Sequence, residues 1–577
     1  MSSSIHKGKC TPFLVILSLL FYNSGCINNN PQASGKVKTP PNILWLVAED
    51  LSPYIPPFGD STIQTPHLSR LAAEGIRYTN FYSVSGVCSP SRAALATGMY
   101  PTSIGAHHMR TLFQQPAAKK MGIINYECVP PPSVKMVSQI LRENGYYCTN
   151  NAKEDYQFFK TITAWDESSV YAHWRNRPKG KPFFSIFNFG VTHESNLWNP
   201  FGRPYDLDTF PPTRSNKKWW ATFQGKEKPL YVPEDLAVEV PPYLPETEIV
   251  RKDIRRMYSN IVEMDKQVGR VLRQLEADGL LENTIIVWYS DHGGPLPRQK
   301  RLLYDSGLHV PMIIRYPNQV GAGTIDNQLI SFIDMAPTLL SQANIPPKVY
   351  MQGRAFAGKY ATKEKRKYIH AAADRFDEKY DRIRAVRDDR YKYLKNFHPQ
   401  KGYYLALDYR EKMASMQELL RMRDKQQLND LQMQWFRPSK PVEELFDTQT
   451  DPHELVNLSE NPAYQNKLLE LRQECKQWMA SAKDQGSIPE EALIRQFWPN
   501  KIQPKTEKPQ IVLSNKQLNI SCPTNGAAIG YKFPADEKPE IGWRVYQKPI
   551  TLPAKSTLKI VAHRTGYLPS DTLIYQN

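Results

Sequence analysis

Four apolar segments of this chain end in the same way, each running within a few residues into charged or imidazole side chains. Ile43-Leu44-Trp45-Leu46-Val47-Ala48 stops at Glu49-Asp50, and Tyr146–Thr149 runs towards Lys153. Phe183-Phe184-Ser185-Ile186-Phe187-Asn188-Phe189 leads to His193, and Thr284-Ile285-Ile286-Val287-Trp288-Tyr289 leads to Asp291-His292. Apolar runs without alternation suit strands covered on both faces, as in a parallel sheet flanked by helices. Helical spacing fills the intervals: Leu68, Leu71 and Ala72 behind the cap pair Thr65-Pro66, Val134 to Leu141 before Gly145, and Ile249 to Leu275 before Gly279. Pro311–Tyr316 reads as a further strand and Asp334–Leu340 as a helix start. The alternation predicts an α/β fold with a mainly parallel sheet. Such sheets place their sites beyond the carboxyl ends of the strands, so Glu49, Asp50, Lys153, His193, Asp291 and His292 are expected along one edge.

A fifth stretch, FYSVSGVCSPSRAALATG at residues 81–98, carries the nucleophilic atom. Arg92 to Thr97 are good helix formers and Gly98 is a stop, which puts Cys88 near a helix N-terminus. Backbone N–H groups and the helix dipole favour an anion there, and Arg92, four residues on, falls on the same face. A lone cysteine at a helix start is more often a packed core residue, so the weight rests on its company.

The order C-x-P-S-R-x-x-x-x-T-G, met here as Cys88, Pro90, Ser91, Arg92, Thr97 and Gly98, resembles the signature of the sulfatase family. The resemblance extends over roughly residues 41–500 and implies an alkaline-phosphatase-like fold with a smaller C-terminal α+β subdomain. It also implies that a dedicated maturation enzyme converts Cys88 to formylglycine, whose hydrated aldehyde supplies the attacking oxygen. Glu49, Asp50, Asp291 and His292, with residue 88, would hold one divalent cation, and mostly oxygen ligands point to calcium. By the same resemblance Lys153 and Lys300 contact the sulfate, Arg92 holds the nucleophile and His193 protonates the leaving group. Three positions depart from the family pattern: Glu49 replaces the usual aspartate, His292 replaces a common asparagine, and Lys153-Glu154-Asp155 replaces Lys-x-His. Asp155 thereby becomes the candidate for the missing base.

Segments Ser83–Arg92 and Ser290–Arg298 are similar to heparan N-sulfatases, so a sulfated carbohydrate such as a glycosaminoglycan is the expected substrate. Arg298, Arg375, Arg382, Arg384, His107 and His108 are candidates for reading its carboxylates or further sulfates. Two other readings stay open: a phosphomonoester or phosphonate hydrolase on the same fold, and a glycan-binding lipoprotein without activity.

With 577 residues the chain exceeds one simple core. Its net charge of +17 suits anionic partners, yet nothing besides charge favours nucleic acid, which is set aside. Lys7 and Lys9 precede the apolar run Phe13–Leu20, and Gly25-Cys26 follows, the pattern of an export signal too short to span a bilayer. The expected organisation is a lipoprotein-type signal at 1–26, a linker at 27–40, a catalytic domain at 41–395, its C-terminal subdomain at 396–500 and a linker at 501–508. Residues 509–577, with short alternating apolar runs, are similar to the β-sandwich that ends chitobiases. The protein is expected in the periplasm or on the outer membrane, touching lipid only through a lipidated Cys26. Exported proteins form disulfides, and a Cys128–Cys148 pair is conceivable.

Overall fold

The structure, a computed structural model, describes residues 40–109, 122–201, 227–536 and 542–577. The expected signal, the linker up to residue 39 and Cys26 lie outside the described residues.

The chain opens with β1 (Asn42–Ala48) and β2 (Ile76–Tyr82), followed by β3 (Tyr147–Asn151), β4 (Glu167–Ser168), β5 (Phe183–Phe189), β6 (Thr284–Ser290), β7 (His309–Arg315), β8 (Ile325–Asp326) and β9 (Ile330–Ser331). They form one sheet in the order β4-β3-β5-β1-β6-β7-β2-β8, with β9 also paired to β2. From β4 to β6 every pair is parallel. β7 runs antiparallel to both neighbours and reverses the direction locally. Along β1, Leu44, Leu46 and Ala48 enter one core while Ile43, Trp45 and Val47 enter the other. This explains the unbroken apolar run: no residue from Ile43 to Ala48 faces water, and none of these six is polar.

The helices sit where the periodicity puts them, at Pro66–Ala73, Val137–Glu143, Glu248–Ala277 and Met335–Gln342. One cap differs from the sequence reading. Thr65 Oγ1 makes no hydrogen bond, and the helix start is satisfied instead by Asp265, whose carboxylate accepts from Leu68 N–H at 2.8 Å and His67 N–H at 3.3 Å. Cys128 and Cys148 are buried free thiols, not a disulfide.

A second, antiparallel sheet comprises β10 (Ile369–Phe376), β11 (Lys379–Arg387), β12 (Tyr391–Asn396) and β13 (Glu443–Asp447). The helix Gln465–Ser481 packs on it through Leu468, Leu471 and Cys475. The boundary set at 395/396 from sequence therefore falls inside β12, because hairpin-connected strands leave no compositional break between β10 and β12. Two further antiparallel sheets follow, β14 (Gln510–Ser514) with β15 (Gln517–Ser521) and β18 (Ile550–Thr551), and β17 (Arg544–Val545), β16 (Ala528–Lys532), β19 (Thr557–His563) and β20 (Leu573–Gln576). They close over Leu518, Ile520, Leu558 and Ile560.

Residues 501–508 do not hang free as a linker: Thr506 N–H donates to Leu568 O at 2.9 Å beside a Lys505–Leu568 bridge. The terminal module is tied to the first domain by Arg142 donating to Trp543 O at 2.6 Å and by His563. His563 Nδ1 accepts from Ile162 N–H at 3.1 Å while its Nε2 sits 2.8 Å from Tyr567 O. Accepting at Nδ1 fixes the neutral ring with its proton at Nε2. Burial and the nearby Lys160 together push the imidazole down to about 4, against a smaller opposing effect of Tyr567. The folded state thus resists protonation, so this contact contributes fully above the free value of 6.5 and is lost as pH falls towards 4. Acidification from pH 7 to pH 5 is expected to cost the docked module about 2 kcal/mol. Hydrogen exchange in residues 509–577, corrected for intrinsic rates, should rise accordingly, and His563→Gln should flatten that dependence.

Candidate active site

The four neighbouring parallel strands β3, β5, β1 and β6 deliver their following residues to one sheet edge. A cleft of about 580 Å³ lies there, lined among others by Glu49, Lys153, Asp155, His193, Glu194, Lys300, Arg301, Asp377 and Tyr409. Cys88 is the first residue of the helix Cys88–Thr97, with Val87 extended before it and Gly98 left-handed after it. The thiol is fully buried. Burial alone raises a thiol, but Lys153, Lys300 and hydrogen bonds from His193 and His292 overcome this and bring Cys88 down to about 5. The buried thiols elsewhere go the other way: burial pushes Cys128 and Cys148 well up and Cys475 to about 12. The difference measures the positive potential around position 88.

Each cation of the site is held by a carboxylate. Arg92 Nε donates to Asp291 Oδ2 at 3.0 Å and its Nη1 to Asn188 Oδ1 at 2.7 Å. Lys153 Nζ donates to Glu49 Oε2 at 2.7 Å. Lys300 Nζ lies 2.7 Å from Asp50 Oδ2, 3.1 Å from Glu194 Oε1 and 3.3 Å from His193 Nε2. Arg301 donates to Glu194 through both terminal nitrogens and to Asp377 Oδ2 at 2.6 Å. His193 Nδ1 is 2.8 Å from Ser195 Oγ, which fixes the ring's orientation. Ser89 Oγ donates to Asp155 Oδ1 at 2.5 Å, tying that carboxylate to the first turn of the nucleophile's helix.

Potential ligand atoms of Asp50, Cys88 and His193, and of Cys88, Asp291 and His292, lie within 4.8 Å of one another. Asp50 Oδ1 and His292 Nε2 face each other at 3.0 Å as a buried ion pair, and the imidazole also reaches Cys88. Burial tends to lower the His292 imidazole, but Asp291 and Asp50 outweigh it and hold the ring up to about 10. The formal charges suit a divalent cation: Arg92, Lys153, Lys300, Arg301 and protonated His292 face Glu49, Asp50, Asp155, Glu194, Asp291, Asp377 and the Cys88 thiolate, an excess of two negative charges that such an ion cancels. Glu49, expected among the ligands, belongs to neither group of convergent atoms. Its oxygens are engaged by Lys153 and, at 3.8 Å, by Arg92.

The family profile described as Sulfatase matches residues 41–345, more than half of the sequence, and the profile described as N-sulphoglucosamine sulphohydrolase, C-terminal, matches 298–439. The chain belongs to the sulfatase family. It is a sulfuric ester hydrolase, and the family as a whole works with formylglycine and a divalent metal. An ulvan-active sulfatase of Formosa agariphila is 54% identical over 553 residues, covering 93% of this chain and 91% of that protein. Human N-sulphoglucosamine sulphohydrolase is 25% identical over 77% of this chain and 91% of its own length. The fold is shared with the solved structure of a protein bound to its substrate D-glucosamine-2-N,6-O-disulfate, at a TM-score of 0.53 and 19% identity over 78% of this chain and 100% of that one.

The remaining residues singled out for substrate reading do not line the sulfatase cleft. Arg375 donates to Glu490 at 2.7 and 2.8 Å, and Arg384 is fully buried between Asp374 and Asp484. Arg298 donates to the carbonyls of His453 and Glu454 and lies over the rings of Tyr243 and Tyr304. Arg382 stacks on Phe397 and reaches Asp484 at 3.6 Å. His107 and His108 pack together, and His108 Nδ1 accepts from Arg375 N–H. A buried guanidinium must be compensated, and Glu490 does so for Arg375 and Asp374 with Asp484 for Arg384, which leaves these two structural duties.

A separate set of contacts holds the loop that carries Lys300. Asp377 binds Arg301, Arg387 and Lys392 bind Asp305, Lys392 Nζ donates to Leu303 O, and Glu454 Oε2 accepts from Asp305 N–H. The antiparallel subdomain therefore acts as a clamp on the segment 298–305. Glu194 and Arg301 each directly follow an anticipated residue, and that adjacency was the one signal for them; Asn188 and Tyr409 left none.

Removing one member of a buried ion triad strands the others, so Arg384→Ala is expected to destabilise the fold by about 3–5 kcal/mol. Well below its thermal transition the variant should hydrolyse an aryl sulfate within about twofold of wild type, as expected of a site away from the chemistry. A melt combined with kinetics checks both, since a substrate-reading arginine would give the opposite pattern.

Proposed function

We propose that this sulfatase is exported and removes sulfate from an anionic polysaccharide of the ulvan type, using formylglycine formed from Cys88 and a calcium ion. The convergence on Cys88 of Lys153, Lys300 and His193, all three of which line the cleft, carries the chemical reading. The identity of 54% over nearly the whole chain to an ulvan-active sulfatase supports the substrate.

When present, the hydrated aldehyde supplies the oxygen that attacks sulfur, and the metal, which Asp50, Asp291 and His292 would hold, polarises the sulfate oxygens. Lys153 and Lys300 then bind the non-bridging oxygens, with Glu49 and Asp50 keeping both amines charged and in place. Arg92 fixes the geometry of residue 88 from one helical turn away. His193 lies beside Lys300, so a sulfate held by that lysine presents its bridging oxygen near Nε2, where a proton can be given to the leaving hydroxyl. Asp155 accepts a proton from the nucleophile's side of the site, a duty supported by its bond to Ser89.

The export reading rests on Lys7, Lys9 and the apolar run Phe13–Leu20, and Gly25-Cys26 supports a lipid at Cys26 on a periplasmic or outer-membrane protein. A maturation enzyme is then a necessary partner.

Protein co-expressed with a maturation enzyme should yield a residue-88 peptide bearing an aldehyde, and should release sulfate from ulvan and from an aryl sulfate. Cys88→Ala should abolish both activities. Asp155→Ala should lower kcat by about 100-fold or more with little change in KM. Unchanged turnover would remove Asp155 from the mechanism, and faster cleavage of an aryl phosphate than of the sulfate would assign the cleft to phosphoryl esters.

A further inference from the structure

Within one segment, Lys300 and Arg301 line the cleft while Arg298 and Tyr304 line a second cavity of about 370 Å³. Tyr304, Tyr403, Trp435 and Phe446 give it aromatic walls. Trp435 is 4% exposed, and its indole N–H is buried without a hydrogen bond. The ring is held by Tyr404, edge-on at 5.7 Å, and by the Arg410 guanidinium at 4.9 Å. Glu444 Oε1 accepts from Asn396 Nδ2 at 2.7 Å, and Tyr304 OH stands 3.5 Å from Glu444 Oε2.

The charges of the lining do not cancel. Glu454 is neutralised by Lys392 at 2.9 Å, which leaves Arg298 and Arg437 against Glu444, one positive charge in excess. Aromatic side chains suit the apolar face of a pyranose, and a guanidinium in the lining suits a carboxylate or sulfate oxygen. The volume lies in the range of small-ligand pockets. We propose that this cavity holds one sugar ring bearing a single acidic group, from the same glycan chain whose sulfate enters the cleft. This rests on the reading of the protein as a polysaccharide sulfatase and adds to it a second glycan site. The segment 298–304 lies between the two sites, so a polymer contacting both gains affinity that a small ester lacks.

Trp435→Phe replaces the indole of the wall by a smaller ring, and Arg437→Ala removes an exposed guanidinium of the lining. In each, KM for ulvan should rise about tenfold, as for the loss of one good contact, while aryl sulfate turnover stays within about twofold. Unchanged ulvan KM in both variants, or equal losses on both substrates, overturns the proposal. Wild-type protein that cleaves the aryl sulfate but not ulvan would instead defeat the proposed substrate. An arm without turnover then decides the cavity: calorimetry with a sulfate-free uronate tetrasaccharide on the Cys88→Ala protein. Binding weakened about tenfold by adding Arg437→Ala supports the site, and equal affinity rules it out.

Discussion

Everything at the active edge depends on charges that cannot be buried singly. Arg92, Lys300 and Arg301 have almost no exposure, and neither do Asp50, Glu194 and Asp291. Removing any of these from water alone would cost several kcal/mol, so each exists there only because an opposite charge stands within hydrogen-bond reach. The lattice that results is rigid, and rigidity is useful to catalysis. Dipoles and charges that are already oriented need no reorganisation when charge develops on a reacting sulfate.

Topology decides which charges meet. Because β3, β5, β1 and β6 are parallel neighbours, all four send their next residues to the same edge, and an antiparallel arrangement would have split them between two ends. The sheet alone does not place Lys300, which arrives on a long excursion between β6 and β7. That excursion is fixed by the second sheet through Asp377, Arg387, Lys392 and Glu454. The C-terminal subdomain is therefore part of the active site's construction without supplying its nucleophile, its general acid or its sulfate-binding amines.

What could be read from the sequence follows the range of the interactions involved. The doubly covered strands announce themselves in six or seven consecutive residues, and the Cys88 motif is equally local. Pairings such as Arg301 with Glu194, or Asp265 with the start of the Pro66–Ala73 helix, join residues far apart in the chain and have no local signature. Thr65 had the right chemistry for a cap and lost to a carboxylate from another helix. The arginines Arg298, Arg375 and Arg384 look like ligand readers because burial is invisible in a sequence; once Glu490, Asp374 and Asp484 are seen beside them, two of them have no free valence. Glu49, expected among the ligands, stands outside the two convergent groups for a related reason, since its partner Lys153 follows a different strand.

Asp50 shows how one carboxylate reconciles the two demands of the site. Its Oδ2 accepts from Lys300 Nζ and from Glu194 N–H, while Oδ1 is turned to His292 Nε2 at 3.0 Å. The oxygen that fixes Lys300, the lysine proposed to bind sulfate, is thus not the oxygen available to a cation, and neither task has to displace the other. The left-handed backbone at Asp50, φ 49°, lets the peptide N–H reach Asp291 Oδ1 as well, so the two carboxylates are held at a fixed separation. A glutamate there would swing on an extra methylene, and the division of labour between its oxygens would be lost. The conformation that costs the chain something at this residue is what separates the metal-holding and substrate-holding duties proposed for it.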